Sequence, residues 1–393
     1  MEIGFDAKRA FLNFTGLGNY SRTLLETLAH FYPENTYRLF TPEINTSDAR
    51  VSAFLTDKNF QINTPDFPFN KIPALWRSFF INRDINKSGV DIFHGLSHEL
   101  PAGLSKKIKQ VVTVHDLIQL RYPEYYSPID RKIFTFKVKQ ACRQADIIVA
   151  ISEQTKQDTV DFLKIEPEKI CVIYQSCHQQ FSDNGRWTMD NGRWTMDGIF
   201  PSSIVHRPSS KYKLPEKYVL YVGTVNTRKN LLTLVKAIEQ LKNTPDEINL
   251  VAVGNGGAYL ETIQKYIAEK RLEKVVYLCP KVDFSDLPMI YRNAQIFIYP
   301  SFFEGFGIPI LEALWSEVPV ITSEGGCFRE AGGENSIYIN PQHPEEISAA
   351  IKKIMSDITL RKKMIITGRH FAENFRAEKI GAQWIKLYSE LMN

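Results

Sequence analysis

The sequence predicts an α/β protein made of two doubly wound domains, each with a parallel sheet. Short apolar runs alternate with amphipathic segments, which is the pattern of parallel strands covered by helices on both faces. Glycine turns follow an apolar run in each half, at Gly16 and Gly18 and again at Gly223. The 393 residues are too many for one ordinary core and suit two domains.

The composition is that of a globular protein. Hydrophobic residues make up 44% and charged residues 23% of the chain, and no apolar run approaches the roughly 18 residues that a membrane span needs. The N-terminal residues lack the basic start and apolar core of a signal peptide, so we expect a cytoplasmic protein. The five cysteines form no C-x-x-C pair, which favours reduced thiols over disulfides or a zinc site.

The net charge of +4 is unevenly distributed. Residues 1–213 hold 27 Lys and Arg against 23 Asp and Glu, whereas residues 214–393 hold 21 of each. This excess is too small for a nucleic-acid interface, and we expect no nucleic-acid partner. It is compatible with an anionic partner of the first half.

The most informative stretch predicts a strand, a glycine-containing turn and a helix N-terminus. The strand ends at Tyr299, the turn holds Glu304 and two glycines, and Pro309 marks the first turn of a helix that contains Glu312. A helix N-terminus suits a phosphate, and glycines allow close approach of the backbone. Glu304 can accept hydrogen bonds from sugar hydroxyls, and Glu312 can reach a ribose. The alternative is a buried junction with two solvated glutamates.

Glu304 and Glu312 resemble the E-x7-E signature of retaining GT-B glycosyltransferases of family GT4, the glycosyl transferases group 1. The flanking residues fit as well: Pro300, Ser301, Gly305, Phe306 and Gly307. The resemblance implies a GT-B fold of two facing Rossmann-like domains, an acceptor domain at 1–213 and a nucleotide-sugar domain at 214–375. It also implies a C-terminal helix, 376–393, that crosses back to the first domain. In the family the turn from Glu304 to Ile308 contacts the donor.

The first domain is expected to begin with a strand, a glycine turn and a helix. Ile3–Phe5 predicts the strand, and leucines predict the helix after Gly18. A third glycine in Rossmann spacing is missing, which disfavours nicotinamide binding. The resemblance places Gly16 and Gly18 near the donor phosphates and the acceptor. Five further strands are predicted: Tyr37–Phe40, Asp91–Phe93, Val111–Val114, Ile147–Ala150 and Ile170–Ile173.

His115 and Asp116 follow the strand that ends at Val114. Ligands of open α/β sheets gather at the carboxyl ends of strands, so a functional pair is expected there, although a lone histidine is more often structural. The segment resembles the corresponding one of mannosyltransferase-like GT4 members. That resemblance places His115 against the transferred sugar.

Two further segments of the first half stand out. Residues 184–190 are repeated without change as 191–197, which we interpret as a loop insertion between the domains. Lys71–Lys87 carries a helical stripe that includes Ile72, Leu75, Trp76, Phe79 and Phe80, interspersed with cations. The stripe fits a peripheral contact with the inner membrane surface, and core packing is the alternative. A second basic segment holds Arg131, Lys132, Lys137, Lys139 and Arg143.

The second domain is expected to start with the strand Tyr218–Val222 and a turn that leads to Arg228 and Lys229. Cations at a helix N-terminus oppose its dipole unless an anion is near, and a diphosphate would be such an anion. Solvated surface charges are the alternative. The segment resembles the GT4 phosphate site, although Thr224 stands where many members carry Arg. In the family the backbone around Lys281 and Val282 lines the base pocket.

Together these residues predict a retaining hexosyltransferase with a nucleotide diphosphate sugar as donor. Resemblance to the mannosyltransferase-like branch makes GDP-mannose the first choice, and the acceptor is expected to be a glycan or a lipid-linked glycan of a cell-surface polysaccharide. No D-x-D pair occurs, so we expect no metal, and no cofactor besides the donor substrate. The alternatives are a non-catalytic sugar-nucleotide-binding subunit and a sugar-nucleotide epimerase on the same fold.

Overall fold

The computed structural model describes residues 1–46, 49–66, 76–77, 80–182, 186–190, 193–197 and 211–393. These residues form two compact units. The first unit comprises residues 1–176 together with 375–393, and the second comprises residues 177–374. Each unit contains one parallel sheet with helices between successive strands, so the predicted α/β class is confirmed.

The first unit contains a seven-stranded sheet in the order β3-β2-β1-β4-β5-β6-β7, with parallel pairing throughout. Its strands are β1 Glu2–Asp6, β2 Thr36–Phe40, β3 Phe60–Asn63, β4 Ile92–Gly95, β5 Lys109–Val114, β6 Ile147–Ala150 and β7 Ile170–Val172. Its helices are α1 Lys8–Leu12, α2 Gly16–Phe31, α3 Ala49–Thr56, α4 Ile81–Lys87, α5 Ile118–Arg121, α6 Pro128–Gln144 and α7 Glu153–Leu163, and the last helix of the chain, Ala377–Met392, also belongs here.

That last helix packs against α2 and completes the core of the first unit. Ile380, Trp384 and Tyr388 are buried in the cluster that holds the first strands. The Tyr388 hydroxyl lies 2.8 Å from Nδ1 of His94, whose Nε2 lies 2.8 Å from the Thr113 hydroxyl. The end of the chain is therefore tied to two central strands, which confirms the prediction that it returns to the first domain.

The second unit contains a six-stranded parallel sheet in the order β12-β11-β10-β13-β14-β15. Its strands are β10 Tyr218–Val222, β11 Asn249–Val253, β12 Val276–Cys279, β13 Ile296–Tyr299, β14 Val320–Ser323 and β15 Ile337–Ile339. Its helices are α8 Gln179–Ser182, α9 Leu231–Leu241, α10 Ala258–Glu269, α11 Leu287–Arg292, α12 Ile308–Trp315, α13 Phe328–Gly332, α14 Pro344–Ser356 and α15 Ile358–Ala372, so that the last helix, Ala377–Met392, is α16.

The strand order places a topological switch point in each sheet. In the first unit the chain order reverses between β1 and β4, and in the second unit between β10 and β13. Loops that leave neighbouring strands in opposite directions open a crevice at the carboxyl ends, where ligands of such sheets bind. The glycine turn after β10 and the turn with Glu304 after β13 both leave from this point of the second sheet.

Two elements differ from the sequence prediction. Phe60–Asn63 forms an edge strand that pairs with β2 and was not predicted, because only alternate residues of this short segment are apolar. The duplicated segment, expected to be a loop, contributes strands β8 Arg186–Asp190 and β9 Arg193–Asp197, which pair as an antiparallel hairpin.

At the two described apolar positions of this stripe, Trp76 and Phe80, the side chains pack in the core of the first unit, which was the alternative to a lipid contact. Trp76 is 1% exposed and its Nε1 donates to Asp84 at 2.6 Å, and Arg77 pairs with Asp6 and Glu99. Four of its apolar and charged members, Lys71, Ile72, Leu75 and Phe79, lie outside the described residues. The membrane interpretation of this stripe is therefore wrong for Trp76, because the indole is enclosed and its N–H is satisfied. In the described part of the chain, no helix has both the length and the apolar composition to cross a membrane.

Candidate functional site in the second unit

The site is built from two loops that leave adjacent strands. After β10, residues 227–229 form a short 3-10 turn that brings Arg228 and Lys229 to the strand ends. After β13, the chain turns at Pro300 and enters α12 through Gly307. The N–H of Phe302 donates to the carbonyl of Arg228 at 2.9 Å, so the two loops are fixed to each other.

Glu304 is the centre of this arrangement. One of its oxygens, Oε1, lies 2.7 Å from Nη1 of Arg228 and 3.2 Å from Nζ of Lys229. Burial opposes ionisation, but the charges of Lys229 and Arg228 outweigh it and lower the pKa of the carboxyl from 4.5 to about 2. Glu304 is therefore ionised at neutral pH, and the two cations predicted to bind a diphosphate are already neutralised in part.

Two hydroxyls add to the same carboxylate oxygen. Ser301 Oγ donates to Oε1 at 2.8 Å, and the Tyr299 hydroxyl donates to it at 3.0 Å while it accepts from Lys229 Nζ. From the sequence, Tyr299 was expected only as the end of the strand and Ser301 only as a residue that flanks the motif. Tyr299 is the last residue of β13 and is fully buried, and its position at a strand end is the signal that could have identified it.

The other carboxylate oxygen of Glu304, Oε2, is left open. No residue in the described ranges donates a hydrogen bond to it, and the side chain is 13% exposed. All these internal donors thus converge on one oxygen of the carboxylate and leave the other without an internal partner among the described residues. This arrangement can accept a hydrogen bond from a sugar hydroxyl without breaking an internal contact.

The turn into α12 depends on a glycine with a positive φ. Gly307 has φ +121°, where a side chain would be strained, and a Cβ there would lie 3.1 Å from the side chain of Ile310. The Cys327 thiol, which the sequence did not single out, is buried and donates to the carbonyl of Phe306 at 2.9 Å, a contact that stabilises the turn. The predicted donor contacts Gly305, Phe306, Gly307 and Ile308 therefore lie together at the N-terminus of α12.

Glu312 lies one turn into α12 and is nearly buried, with 8% of its surface exposed. The Tyr291 hydroxyl donates to its Oε2 at 2.8 Å. Burial raises the pKa of the Glu312 carboxyl from 4.5 to about 7, and the Tyr291 hydrogen bond opposes that shift only in part. The E-x7-E pair thus combines an ionised carboxylate with one that titrates near neutral pH.

The predicted base-pocket residues, Lys281 and Val282, follow β12 on a loop that is anchored from one side. The Tyr212 hydroxyl accepts from the N–H of Asp283 at 3.0 Å and donates to Asp286 at 2.7 Å. These contacts hold the loop at the carboxyl edge of the sheet. Whether the backbone of Lys281 and Val282 receives a base stays a prediction.

His115 lies in the first unit and is 3% exposed. Its Nε2 lies 2.8 Å from the backbone carbonyl oxygen of Leu96, and its Nδ1 lies 3.2 Å from the side-chain amide nitrogen, Nε2, of Gln175. Burial and the neighbouring His98 lower the pKa of its imidazole to about 3, so the ring is neutral, with Nε2–H as donor and Nδ1 as acceptor. Both nitrogens therefore have protein partners, and a sugar contact would require exchange of one of them.

His98 is a further residue that the sequence did not single out. Its Nε2 accepts from the backbone N–H groups of His115 and Asp116, at 3.1 and 3.3 Å. The residue has φ +60°, a left-handed conformation that is uncommon outside glycine. It follows β4, which borders the switch point, and that location was the available signal. His98 thus fixes the backbone that carries His115.

The two predicted glycines of the first unit serve different purposes. A Cβ on Gly18 would lie 1.6 Å from the carbonyl oxygen of Asn13, so only glycine fits at this position in the first turn of α2. A Cβ on Gly16 would meet nothing within 4 Å. Gly16 is exposed at the start of α2, and its position is compatible with the predicted ligand contact.

Two family models match the chain. Residues 203–371 match the model of glycosyl transferases group 1, and residues 14–177 match the model of glycosyltransferase family 4. Together they cover both units and include every candidate residue described above.

Relatives and solved structures with similar sequences or folds match all or part of the chain. The O-antigen chain mannosyltransferase B of Escherichia coli is 26% identical over 100% of both chains, and RfbU of Salmonella typhimurium, an O-antigen chain mannosyltransferase, is 28% identical over 62% of this chain and 60% of its own. Sucrose-phosphate synthase of Thermosynechococcus elongatus has a TM-score of 0.76 at 20% identity, covering 100% and 99% of the chains. WaaG, a glycosyltransferase of lipopolysaccharide biosynthesis, has a TM-score of 0.68 at 15% identity, covering 98% and 99%.

Proposed function

Because the chain belongs to glycosyltransferase family 4, the glycosyl transferases group 1, we propose that it transfers a hexose from a nucleotide diphosphate sugar to a glycan hydroxyl with retention at the anomeric carbon. The observation that carries this proposal is the Glu304 carboxylate. It is ionised, it is held by four donors on Oε1, and it stands in the turn that enters α12. A carboxylate there can bind hydroxyls of the donor sugar while the helix N-terminus receives the diphosphate.

The leaving diphosphate requires positive charge, and residues of this chain can supply it. Arg228 and Lys229 are 16% and 14% exposed, and with Glu304 they form a triad with one surplus positive charge. A diphosphate that binds beside α12 would share these cations with Glu304. In the described part of the chain no group of three or more His, Cys, Asp or Glu side chains could hold a metal ion. That the reaction needs no metal stays a proposal, and chelation tests it.

Glu312 and His115 have proposed roles that follow from their surroundings. We assign Glu312 to the ribose, because its second oxygen remains for a hydroxyl while Tyr291 holds the first. We assign His115 to the transferred sugar on the acceptor side. Its Nε2–H would then exchange the Leu96 carbonyl for the sugar, and the Gln175 amide would keep the ring oriented.

The proposed donor is GDP-mannose, and the proposed acceptor is a glycan or lipid-linked glycan of a surface polysaccharide such as O-antigen. Two relatives that bear the name O-antigen chain mannosyltransferase support this choice. A UDP-sugar is the alternative donor: one similar structure, HepE of Anabaena, holds UDP-glucose at a TM-score of 0.72. A thermal-shift comparison of GDP with UDP separates the two donors, since a shift with UDP alone would remove GDP-mannose from consideration.

Incubation of the protein with labelled nucleotide sugars and a lipid-linked glycan extract tests the reaction itself. We expect release of free nucleotide together with labelled glycan, and an α-linked product from an α-linked donor by NMR. Nucleotide binding without turnover would support a non-catalytic subunit, and conversion of the donor sugar without an acceptor would support an epimerase. Glu304→Gln is the matched inactive control, because it keeps the shape of the side chain and removes its charge.

A further inference from the structure

Helix α6 exposes a row of large apolar side chains. Ile129, Ile133 and Phe136 are 71%, 52% and 70% exposed, and their spacing of four and three residues places them on one face. The opposite face holds Val138, Ala141 and Cys142, which are buried in the core of the first unit. The core of the first unit therefore does not use the outer row. Three neighbouring exposed apolar side chains on one helix indicate a surface that binds a partner.

The charges of the same helix define what kind of partner fits. Within α6 there are five cations, Arg131, Lys132, Lys137, Lys139 and Arg143, against one carboxylate, Asp130. The excess of four positive charges equals the net charge of the whole chain. Lys137 pairs with Glu99, but no carboxylate in the described part of the chain pairs with Lys132 or Arg143. These two cations lie on the same side of the helix as the apolar row.

We propose that this outer face of α6 docks on an anionic lipid bilayer. Apolar side chains that enter the headgroup region, flanked by cations that meet anionic lipid, are the combination that keeps an amphipathic helix in the interface plane. A second copy of the chain fits less well, since a two-fold contact would bring two strongly positive faces together. The partner is therefore a membrane surface rather than another protomer.

The position of α6 suits a role of the lipid contact in acceptor binding. This role rests on the proposed function, in which the acceptor is lipid-linked. The helix begins 12 residues after Asp116, at the end of the segment that leaves the carboxyl edge of β5. A bilayer on the N-terminal part of α6 would lie beside the strand ends that carry His115. The lipid contact itself is independent of which sugar is transferred.

Sedimentation of the full-length protein with vesicles tests the proposal. Vesicles of phosphatidylethanolamine and phosphatidylglycerol are compared with phosphatidylcholine vesicles at 0.1 M and 0.5 M NaCl. We expect at least about tenfold stronger binding to the anionic vesicles at low salt and its loss at high salt, because the charges are exposed. Equal binding to both kinds of vesicle, or none to either, overturns the proposal.

Variants locate the contact. The triple variant Ile129→Ser, Ile133→Ser, Phe136→Ser is expected to lose at least about tenfold in binding, and Lys132→Gln with Arg143→Gln about fivefold for each cation. The matched control is Ile358→Ser with Ile366→Ser, since both isoleucines are 69% exposed on α15 of the other unit. Wild-type binding by the triple variant, or equal loss in the control, overturns the assignment to α6.

Two further readouts distinguish lipid binding from catalysis and from self-association. Turnover of a water-soluble acceptor should be unchanged in the α6 variants, so a failure of glycosyl transfer would leave the lipid contact standing, and the reverse also holds. Sedimentation velocity without lipid should show the same species for wild type and triple variant. A dimer that the triple variant loses, without vesicle binding by wild type, would identify a second copy as the occupant and overturn the proposal.

Discussion

Replacing Tyr299 by phenylalanine removes one hydroxyl from the site and leaves the ring in place. That hydroxyl donates to Glu304 Oε1 at 3.0 Å and accepts from Lys229 Nζ. The ring itself stacks on Phe297, with centroids 5.9 Å apart, so the variant should keep the packing of β13. The substitution therefore tests whether the hydroxyl holds the acid and the cation in register.

The expected magnitude follows from the partner's charge. A hydrogen bond to a charged group contributes about 1.5–3 kcal/mol. Its loss should raise the pKa of Glu304, which is about 2, by about one to two units, since one unit corresponds to about 1.4 kcal/mol. A carboxyl with a lowered folded-state pKa stabilises the fold above its unfolded value of 4.5, and this contribution is lost as the pH falls. In both proteins the loss begins near the unfolded-state pKa of 4.5, and in Tyr299→Phe, whose folded-state pKa is higher, the loss should be complete at a higher pH.

Urea unfolding and steady-state kinetics measure these effects. At pH 7 we expect the free energy of unfolding to fall by about 1.5–3 kcal/mol, and this difference from wild type should shrink below about pH 3. Turnover should fall about tenfold with the donor KM within about twofold, because a misplaced carboxylate affects the reacting geometry more than ground-state binding.

The matched control is Tyr221→Phe. Its ring lies 6.4 Å from that of Tyr299, and its hydroxyl makes only a long contact of 3.4 Å with the carbonyl of Thr224. The reasoning is refuted if the two variants lose the same stability and the same turnover at every pH, because the Tyr299 hydroxyl would then contribute nothing through Glu304.

Three further predictions concern neighbouring groups. Lys229→Ala should lower turnover about 100-fold and change donor affinity less than about fivefold, because the cation acts mainly on the leaving diphosphate. The wild-type enzyme should keep its activity in EDTA; loss of activity on chelation and its recovery with manganese would contradict the proposal that protein cations replace a metal. Glu312→Gln should raise the free energy of unfolding by about 1–3 kcal/mol at pH 8.5 and by less than about 1 kcal/mol at pH 5, since a folded-state pKa raised to about 7 destabilises the fold increasingly as the pH rises from the unfolded value of 4.5 to about 7. Equal effects at both pH values would contradict it. Gly18→Ala should destabilise by about 1–3 kcal/mol, measured by urea unfolding, whereas Gly16→Ala, with nothing within 4 Å, should not.

Much of the fold could be predicted because its signals are local. Apolar runs of four to six residues mark many of the strands, so β6 and β10 match their predicted bounds and β13 ends at Tyr299 as predicted. The edge strand β3 was missed because its stability comes from pairing with β2 and its own pattern is weak. The hairpin of the repeat was missed although Asn191-Gly192 is a hairpin signal in sequence.

The sequence by itself determined the α/β class, the turn that carries Glu304 and the candidate set around it. Only the tertiary structure decided how those residues interact, since each decisive contact joins segments far apart in the chain. Arg228 and Lys229 reach Glu304 across more than 70 residues and fix which of its oxygens is open. His115 is enclosed by Leu96 and Gln175, and Trp76 is in the core while α6 has its apolar row exposed. Periodicity shows that a helix has an apolar face, but the neighbours that pack against it decide whether that face is covered.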